Sequence, residues 1–501
     1  MFQRPLYLAL WSTVAATALC SVAAHAKEPA DLAIRNVTVI DPEHGNTSPG
    51  RDVLVEDGRI LAVVASSGAA PEAEHVIDGT GKFLIPGLMD MHSHSNYRML
   101  HTATLKLMSA NGVTGIREMG SDCDEPGGFT MCLGEMRESQ AKIEAGEMVG
   151  PRIVELSTKK IQSERPKDPN EYQILYTPMT AEDGRATVAG LAERGPDILK
   201  IGDQFMPDAF RALAEAARER GMKFGGHVPM MFSVADVSDM GMTSIEHARD
   251  LPLDCSAFGA EFRGQIMAKL SGEDVPWPNR RAMPGNARDT FDEATCKAQI
   301  ATLAANHTYY VPTHPTREMD FRAGEQAYRD DPRLSYITQM QQEHWNRDLD
   351  RTASAPPEAI ADLADFFALT LKTTRMAHDG GVKVMAGTDA NDTMIFPGFS
   401  LHDELGFMVQ AGLTPMEALQ TATSVPAEYL GRTKDFGGVS QGKLADLVLL
   451  DADPTVDIAN TMKIAAVIQG GQVHDRAALD GLLEDVRNWV ALANEKMKAA
   501  E

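Results

Sequence analysis

"LIPGLMDMHSHSN", residues 84–96, joins an apolar run and a Pro-Gly turn to two histidines one residue apart. In a β-strand alternate side chains share a face, so His92 and His94 point the same way, as does Asp90, while Met89 and Met91 point opposite. A strand end of this kind presents two imidazoles to one ion. Two histidines in an exposed turn cost nothing, however, so the remaining ligands must come from elsewhere in the chain.

Outward from this stretch, strand-like runs ending in polar residues alternate with helical segments such as "DAFRALAEAARER" at 208–220. Candidate strands lie at 88–94, 112–118, 152–156, 197–202, 222–228, 242–247, 308–314 and 382–389. Units of this kind predict an α/β fold, a (β/α)8 TIM barrel, with catalytic groups at the carboxyl ends of the strands. Near the amino end, "LAIRNVTVID" (32–41) and its neighbours alternate short β-like runs with turns, and "GKLADLVLLDAD" (442–453) and "KIAAVIQGGQVHD" (463–475) have the same character. These predict a small β-sandwich domain formed by both chain ends.

The expected organisation is a signal peptide at 1–26, sandwich strands at 27–84, the barrel at 85–430, further sandwich strands at 431–475, and a C-terminal helix at 476–501. Insertions at about 253–300 and 316–365, rich in Pro, Arg and Met, are expected to cap the barrel mouth. The leader reading rests on Arg4, the apolar run "PLYLALWSTVAATALCSVAA" and Ala24-His25-Ala26 before Lys27. It predicts a periplasmic or secreted protein, the periplasm being favoured. Lipid attachment at Cys20 is disfavoured by the bulky Leu19, and the absence of a second apolar run of about 20 residues predicts no membrane anchor.

At 501 residues and 43% hydrophobic content the chain can bury a sizeable core. Its net charge of -24 argues against a nucleic-acid partner, which needs a basic face. Past the leader remain Cys123, Cys132, Cys255 and Cys296. Among the three possible connectivities, their order suggests Cys123 with Cys132 and Cys255 with Cys296.

The strand ends carry a pattern of donors: His92 and His94 on the first, Lys200 on the fourth, His227 on the fifth, His247 on the sixth and Asp389 on the eighth. Lys200, inside "DILKI", is flanked by apolar residues and is expensive to bury as an ammonium. A desolvated lysine has a lowered pKa, and its neutral amine reacts with carbon dioxide to give a carbamate. Two divalent ions then share this anionic ligand, one held by His92, His94 and Asp389, the other by His227 and His247. Such ligands suit zinc best, with manganese, cobalt or iron as alternatives.

With these residues in hand the sequence resembles the amidohydrolase superfamily, in its imidazolonepropionase-related and prolidase-like branch. The likeness rests on "IPGLMDMHSH" (85–94), "GVTGIREMG" (112–120), "ILKI" (198–201), "GGHVP" (225–229), "SIEHA" (244–248), "AGTDA" (386–390), "LHDELGFMVQAGLTPMEALQTAT" (401–423) and "GKLADLVLLDADP" (442–454). It implies the same metal positions, His92, His94, carboxylated Lys200, His227, His247 and Asp389. It also implies the sandwich built from both ends, and homo-oligomers are frequent in the family.

The expected activity is hydrolysis of amide bonds in small substrates, dipeptides or N-acyl amino acids, by a hydroxide held between two metal ions. Asp389 accepts the proton and passes it to the leaving amine. His314, with Tyr309 and Arg317 assisting, is the expected substrate-binding group; Arg249 and His402 are weaker candidates for the same wall. The alternatives are a lactonase or ester hydrolase, a mononuclear deaminase, and a non-catalytic binding protein. The deaminase reading is disfavoured because "HVPMMFS" lacks a glutamate soon after His227, and intact ligands disfavour the binding protein.

Overall fold

The computed structural model describes residue 1 and residues 30–68, 72–123, 126–163 and 175–499. The expected signal peptide lies outside the described residues apart from Met1. Disulfides join Cys123 to Cys132 and Cys255 to Cys296, the pairing their order suggested.

The chain opens with strands β1 (Ala30–Asp41), β2 (Asn46–Glu56), β3 (Arg59–Ala65), β4 (Ala73–Asp78) and β5 (Phe83–Pro86). Between β2 and β3, Asp57 and Gly58 both take positive φ, 50° and 69°. A two-residue hairpin turn of this hand matches the strand twist, and Asp-Gly is a favoured pair for it. There follow β6 (Leu88–Ser93), β7 (Val113–Glu118), β8 (Arg152–Leu156), β9 (Ile198–Ile201), β10 (Lys223–Gly226), β11 (Ser244–Glu246) and β12 (Tyr309–Val311). The last strands are β13 (Leu447–Leu450), β14 (Ile464–Gln469) and β15 (Gln472–Asp475).

Strands from both chain ends pair into one eight-stranded mixed sheet, in which β5 lies between β1 and β13 and β4 pairs with β1. The central strands are all parallel: β6, β7 and β8 form one sheet and β9 to β12 another. Parallel bridges between Ser157 and Ile198 and between Ile161 and Ile201 link the two sheets. At the far edges Tyr310 bridges to Val384 and Ser93 to Ala390. The expected eighth strand therefore makes isolated bridges rather than a ladder.

Helices connect the parallel strands. The one at Pro207–Glu219 starts with proline at its first position and buries Phe210, Leu213 and five alanines on one face. Small alanines let the helix approach the sheet closely, while its charged residues face out. Every residue of β6 and β7 is buried, as parallel strands covered on both faces require. At the carboxyl end, Arg476–Lys498 is helical and packs Val486 and Val490 against Leu107. No described helix is long and apolar enough to cross a membrane.

Candidate metal centre

β6 delivers His92 and, one residue beyond its end, His94, with ring centroids 5.5 Å apart. The carbonyl of His92 accepts the backbone N–H groups of Thr388 at 3.1 Å and Asp389 at 2.7 Å, which ties the Asp389 loop to the end of β6. Asp389 Oδ1 then lies 2.9 Å from His94 Nε2 and 3.3 Å from His92 Nε2, and its Oδ2 lies 3.6 Å from His247 Nδ1. The ligand atoms of His92, His94 and Asp389 fall within 4.8 Å of one another. His247 follows β11 with φ of 68°, and its ring centroid is 4.7 Å from those of both His92 and His227. Lys200, on β9, brings Nζ to 3.0 Å from His92 Nε2.

Buried carboxylates orient these groups. Glu246 Oε2 lies 2.8 Å from His92 Nδ1, which turns Nε2 toward the centre. Its Oε1 accepts from Arg117 at 2.7 Å and from Ser244 Oγ at 2.6 Å. Burial alone raises the Glu246 pKa, but Arg117 and His92 outweigh it and hold the group ionised. Glu118 accepts from the Ser95 backbone and hydroxyl and from the Gly120 N–H, and so braces the loop that carries His94. Neither glutamate was among the sequence candidates, although Glu246 was visible in "SIEHA" and Glu118 in "GIREMG". Gly120 was missed too: a Cβ there would sit 2.5 Å from His94 Nδ1.

Burial acts on Lys200, His227, His247 and Asp389. It pulls the Lys200 ammonium down to about 8 and holds His227 and His247 well below the usual imidazole range, so both rings are neutral at pH 7. For Asp389 burial works upward, but His92 and His247 beside it dominate and keep its carboxyl well below the usual range. His227 Nδ1 is buried with no hydrogen-bond partner among the described residues. A neutral, orphaned imidazole beside two others and an ionised carboxylate is the donor chemistry that a divalent transition metal takes. The residues fit such ions.

His92, His94, Lys200, His227, His247 and Asp389 all line one cavity of about 720 Å³. Its outer wall comes from Tyr97, Phe129 and the 339–353 helix, which contributes Met340, Gln341, His344, Trp345 and Arg347. The insertion at 316–365 thus reaches the cavity. None of the residues at 253–300 lines it, and that segment carries helices and the Cys255–Cys296 bridge instead.

The three expected substrate-binding residues lie elsewhere, and that expectation is corrected. His314 is fully buried, with Nδ1 3.1 Å from Glu404 and Nε2 3.0 Å from Thr374 Oγ1, so both ring nitrogens are engaged. Tyr309 starts β12, away from its carboxyl end, and packs edge-on against Tyr429 at 5.0 Å. Arg317 pairs with Asp320 at 2.6 Å. Arg249 is held by Asp203 and Asp250, and His402 by Thr461 and the Asn111 carbonyl.

The architecture and the donors define an α/β protein with a metal-type site at the ends of parallel strands. The amidohydrolase family profile matches residues 370–474. An adenine deaminase of Chelativorans sp. (strain BNC1) is 28% identical over 46% of this chain, but the match spans only 37% of that protein. An imidazolonepropionase of Geobacillus sp. (strain WCH70) is 23% identical over 80% of this chain and 83% of its own length. A solved Xaa-Pro dipeptidase with methionine in its active site shares the fold with a TM-score of 0.61 and 21% identity, covering 89% of this chain and 99% of that one. Residues 370–474 thus match the amidohydrolase family, and the chain is similar over most of its length to an imidazolonepropionase.

Proposed function

We propose that this protein is an exported, metal-dependent hydrolase that cleaves amide bonds in small substrates such as dipeptides or N-acyl amino acids. The observation that carries the reading is the convergence of four histidines, a desolvated lysine and Asp389 on one cavity. In this proposal the two parallel sheets and their linking bridges form a closed (β/α)8 barrel. The mixed sheet folds on itself as a sandwich, supported by the single apolar cluster that joins Leu32 and Ile34 of β1 to Ala466 and Ile468 of β14. Two disulfides support an oxidising compartment.

Two divalent cations, zinc in the first place, would be held by His92, His94, His227, His247, Asp389 and Lys200 as its carbamate, and would supply Lewis-acid activation of water and of the substrate carbonyl. For the carbamate, the neutral Lys200 amine forms a bond to the carbon of CO2 and releases a proton, which turns a cation into an anionic ligand. Glu246 fixes His92 with Nε2 toward the centre. Asp389, ionised at neutral pH, takes the proton of the attacking water and delivers it to the nitrogen as the C–N bond breaks. Trp345, Tyr97 and Phe129 wall the cavity.

A mononuclear deaminase is the competing reading, favoured by the adenine deaminase similarity. The cavity lining offers Asp389 and Asp392 but no glutamate among the described residues, which weighs against it. The test is metal content per chain for wild type and Lys200→Ala, with turnover on a panel of dipeptides, esters and aminopurines. Roughly two metals in wild type, falling in the variant together with dipeptidase activity, supports the proposal. One metal in both proteins, or turnover of the aminopurine alone, overturns it.

A further inference from the structure

Two of the cations that line the cavity, Lys160 and Arg347, have no acidic partner among the described residues. Lys160 follows β8 on the segment that bridges to β9, and Arg347 projects from the 339–353 helix. Both are exposed, and neither has an ion-pair partner among the described residues; Arg347 reaches only His344 Nδ1, at 3.5 Å. The chain carries 71 acidic side chains against 47 basic ones, and Arg249, two residues beyond His247, shows the usual outcome of that excess: it is held by Asp203 and Asp250. Leaving two cations open at the mouth of a cavity raises the local concentration of anions there.

The same cavity offers an apolar surface. Tyr97 and Phe129 pack together with ring centroids 5.4 Å apart, and Trp345 and Met340 come from the helix that bears Arg347. Asp389, which the scissile bond must reach, lines the same cavity as Lys160 and Arg347.

We propose that Lys160 and Arg347 receive a free carboxylate of the substrate while the aromatic wall takes an apolar side chain, which makes the protein selective for amides of apolar amino acids with an unblocked carboxyl terminus. The inference rests on the amide-hydrolase reading and names its substrate class. Guanidinium and ammonium donors form charge-assisted hydrogen bonds to carboxylate, and a carboxamide forfeits them. Lys160 and Arg347 act as specificity residues and take no part in bond cleavage.

The test compares N-acetyl-phenylalanine with N-acetyl-phenylalaninamide by calorimetric titration into chelator-treated protein, so that no metal can capture the carboxylate. The expected result is about tenfold tighter binding of the acid, the effect of one or two charge-assisted contacts at an open wall. In Lys160→Met/Arg347→Met the ratio falls to about one, and Lys160→Arg/Arg347→Lys, which keeps both charges, retains most of it. Equal affinities in wild type, or a preference that survives the double variant, overturns the inference. Metal-loaded wild type is then assayed on the dipeptide Phe-Phe. Failure to cleave it, with the binding preference intact in chelated protein, removes the hydrolase reading and leaves the carboxylate site standing.

Discussion

Glu246 holds His92 Nδ1 with one carboxylate oxygen, at 2.8 Å, and the Arg117 guanidinium with the other, at 2.7 Å, and all three side chains are fully buried. One residue therefore serves both a metal-type histidine and a buried counter-charge. In Glu246→Gln the tautomer of His92 is no longer fixed, and metal affinity falls about 10- to 100-fold. Arg117 also loses its anionic partner, at a cost of about 3 kcal/mol in the metal-free protein. In Arg117→Met/Glu246→Gln part of the stability returns but metal affinity stays low. Chelator competition and urea unfolding, run on the same preparations, separate the two effects; affinity restored in the double variant would contradict the orienting role.

Lys200 gives a pH signature. Its folded pKa is about 8 because of burial, against the ordinary 10.5. The unfolded chain therefore binds more protons than the folded one between these values, and stability of the metal-free protein rises with pH across that window. The cost of the buried ammonium is full below about pH 8 and gone above about 10.5, an order of about 3 kcal/mol. Lys200→Met removes that slope. Because carbamate formation needs the neutral amine, metal reconstitution is also faster at pH 9 than at pH 7 and is accelerated by bicarbonate. A rate indifferent to bicarbonate would argue against a carboxylated Lys200.

The strand-end donors were legible because each sits in a short motif where an apolar run stops at a polar side chain, as in "ILKI" before Gly202 or "AGTD". That rule tells where a strand ends but not which way the next side chain turns. Thr313, with φ of 46°, redirects the chain so that His314 opens a helix and meets Glu404 and Thr374, partners 90 and 60 residues away. Nothing local in "YYVPTHPTRE" carries that information. The cavity wall formed by Trp345 and Arg347 was hidden for the same reason: an insertion read as a cap has no stated inner face until it folds back. The eighth strand was overread, since "VKVMAGTD" has the apolar pattern but forms only isolated bridges.

The two disulfides close loops of different length, with separations of 9 and 41 residues. In the chain-entropy account a cross-link stabilises by restricting the unfolded state, more for the longer loop. Cys255→Ser/Cys296→Ser is therefore expected to cost about 4 kcal/mol and Cys123→Ser/Cys132→Ser about 2.6 kcal/mol. Guanidinium unfolding of the two double variants gives the comparison directly. A larger loss from the shorter loop would mean that Cys123–Cys132 acts by holding native contacts, such as the Tyr176 hydroxyl on the neighbouring Asp122.

Gly120 separates the making of the site from the making of the fold. It follows β7, is partly exposed, and its backbone N–H donates to Glu118. A Cβ at this position would come to 2.5 Å from His94 Nδ1, so the imidazole must swing away from Asp389, whose Oδ1 now lies 2.9 Å from His94 Nε2. The φ at Gly120 is not positive, so alanine costs the backbone nothing there. Gly120→Ala should leave unfolding of the metal-free protein within about 0.5 kcal/mol of wild type. Metal affinity should drop by about tenfold or more, since the displaced ring is one of three ligands held within 4.8 Å. Gly120→Ser, with a larger side chain, should lower it further. Equal metal affinity in wild type and Gly120→Ala would mean that His94 binds in a different orientation, and the cluster of His92, His94 and Asp389 would not be the site the ions occupy.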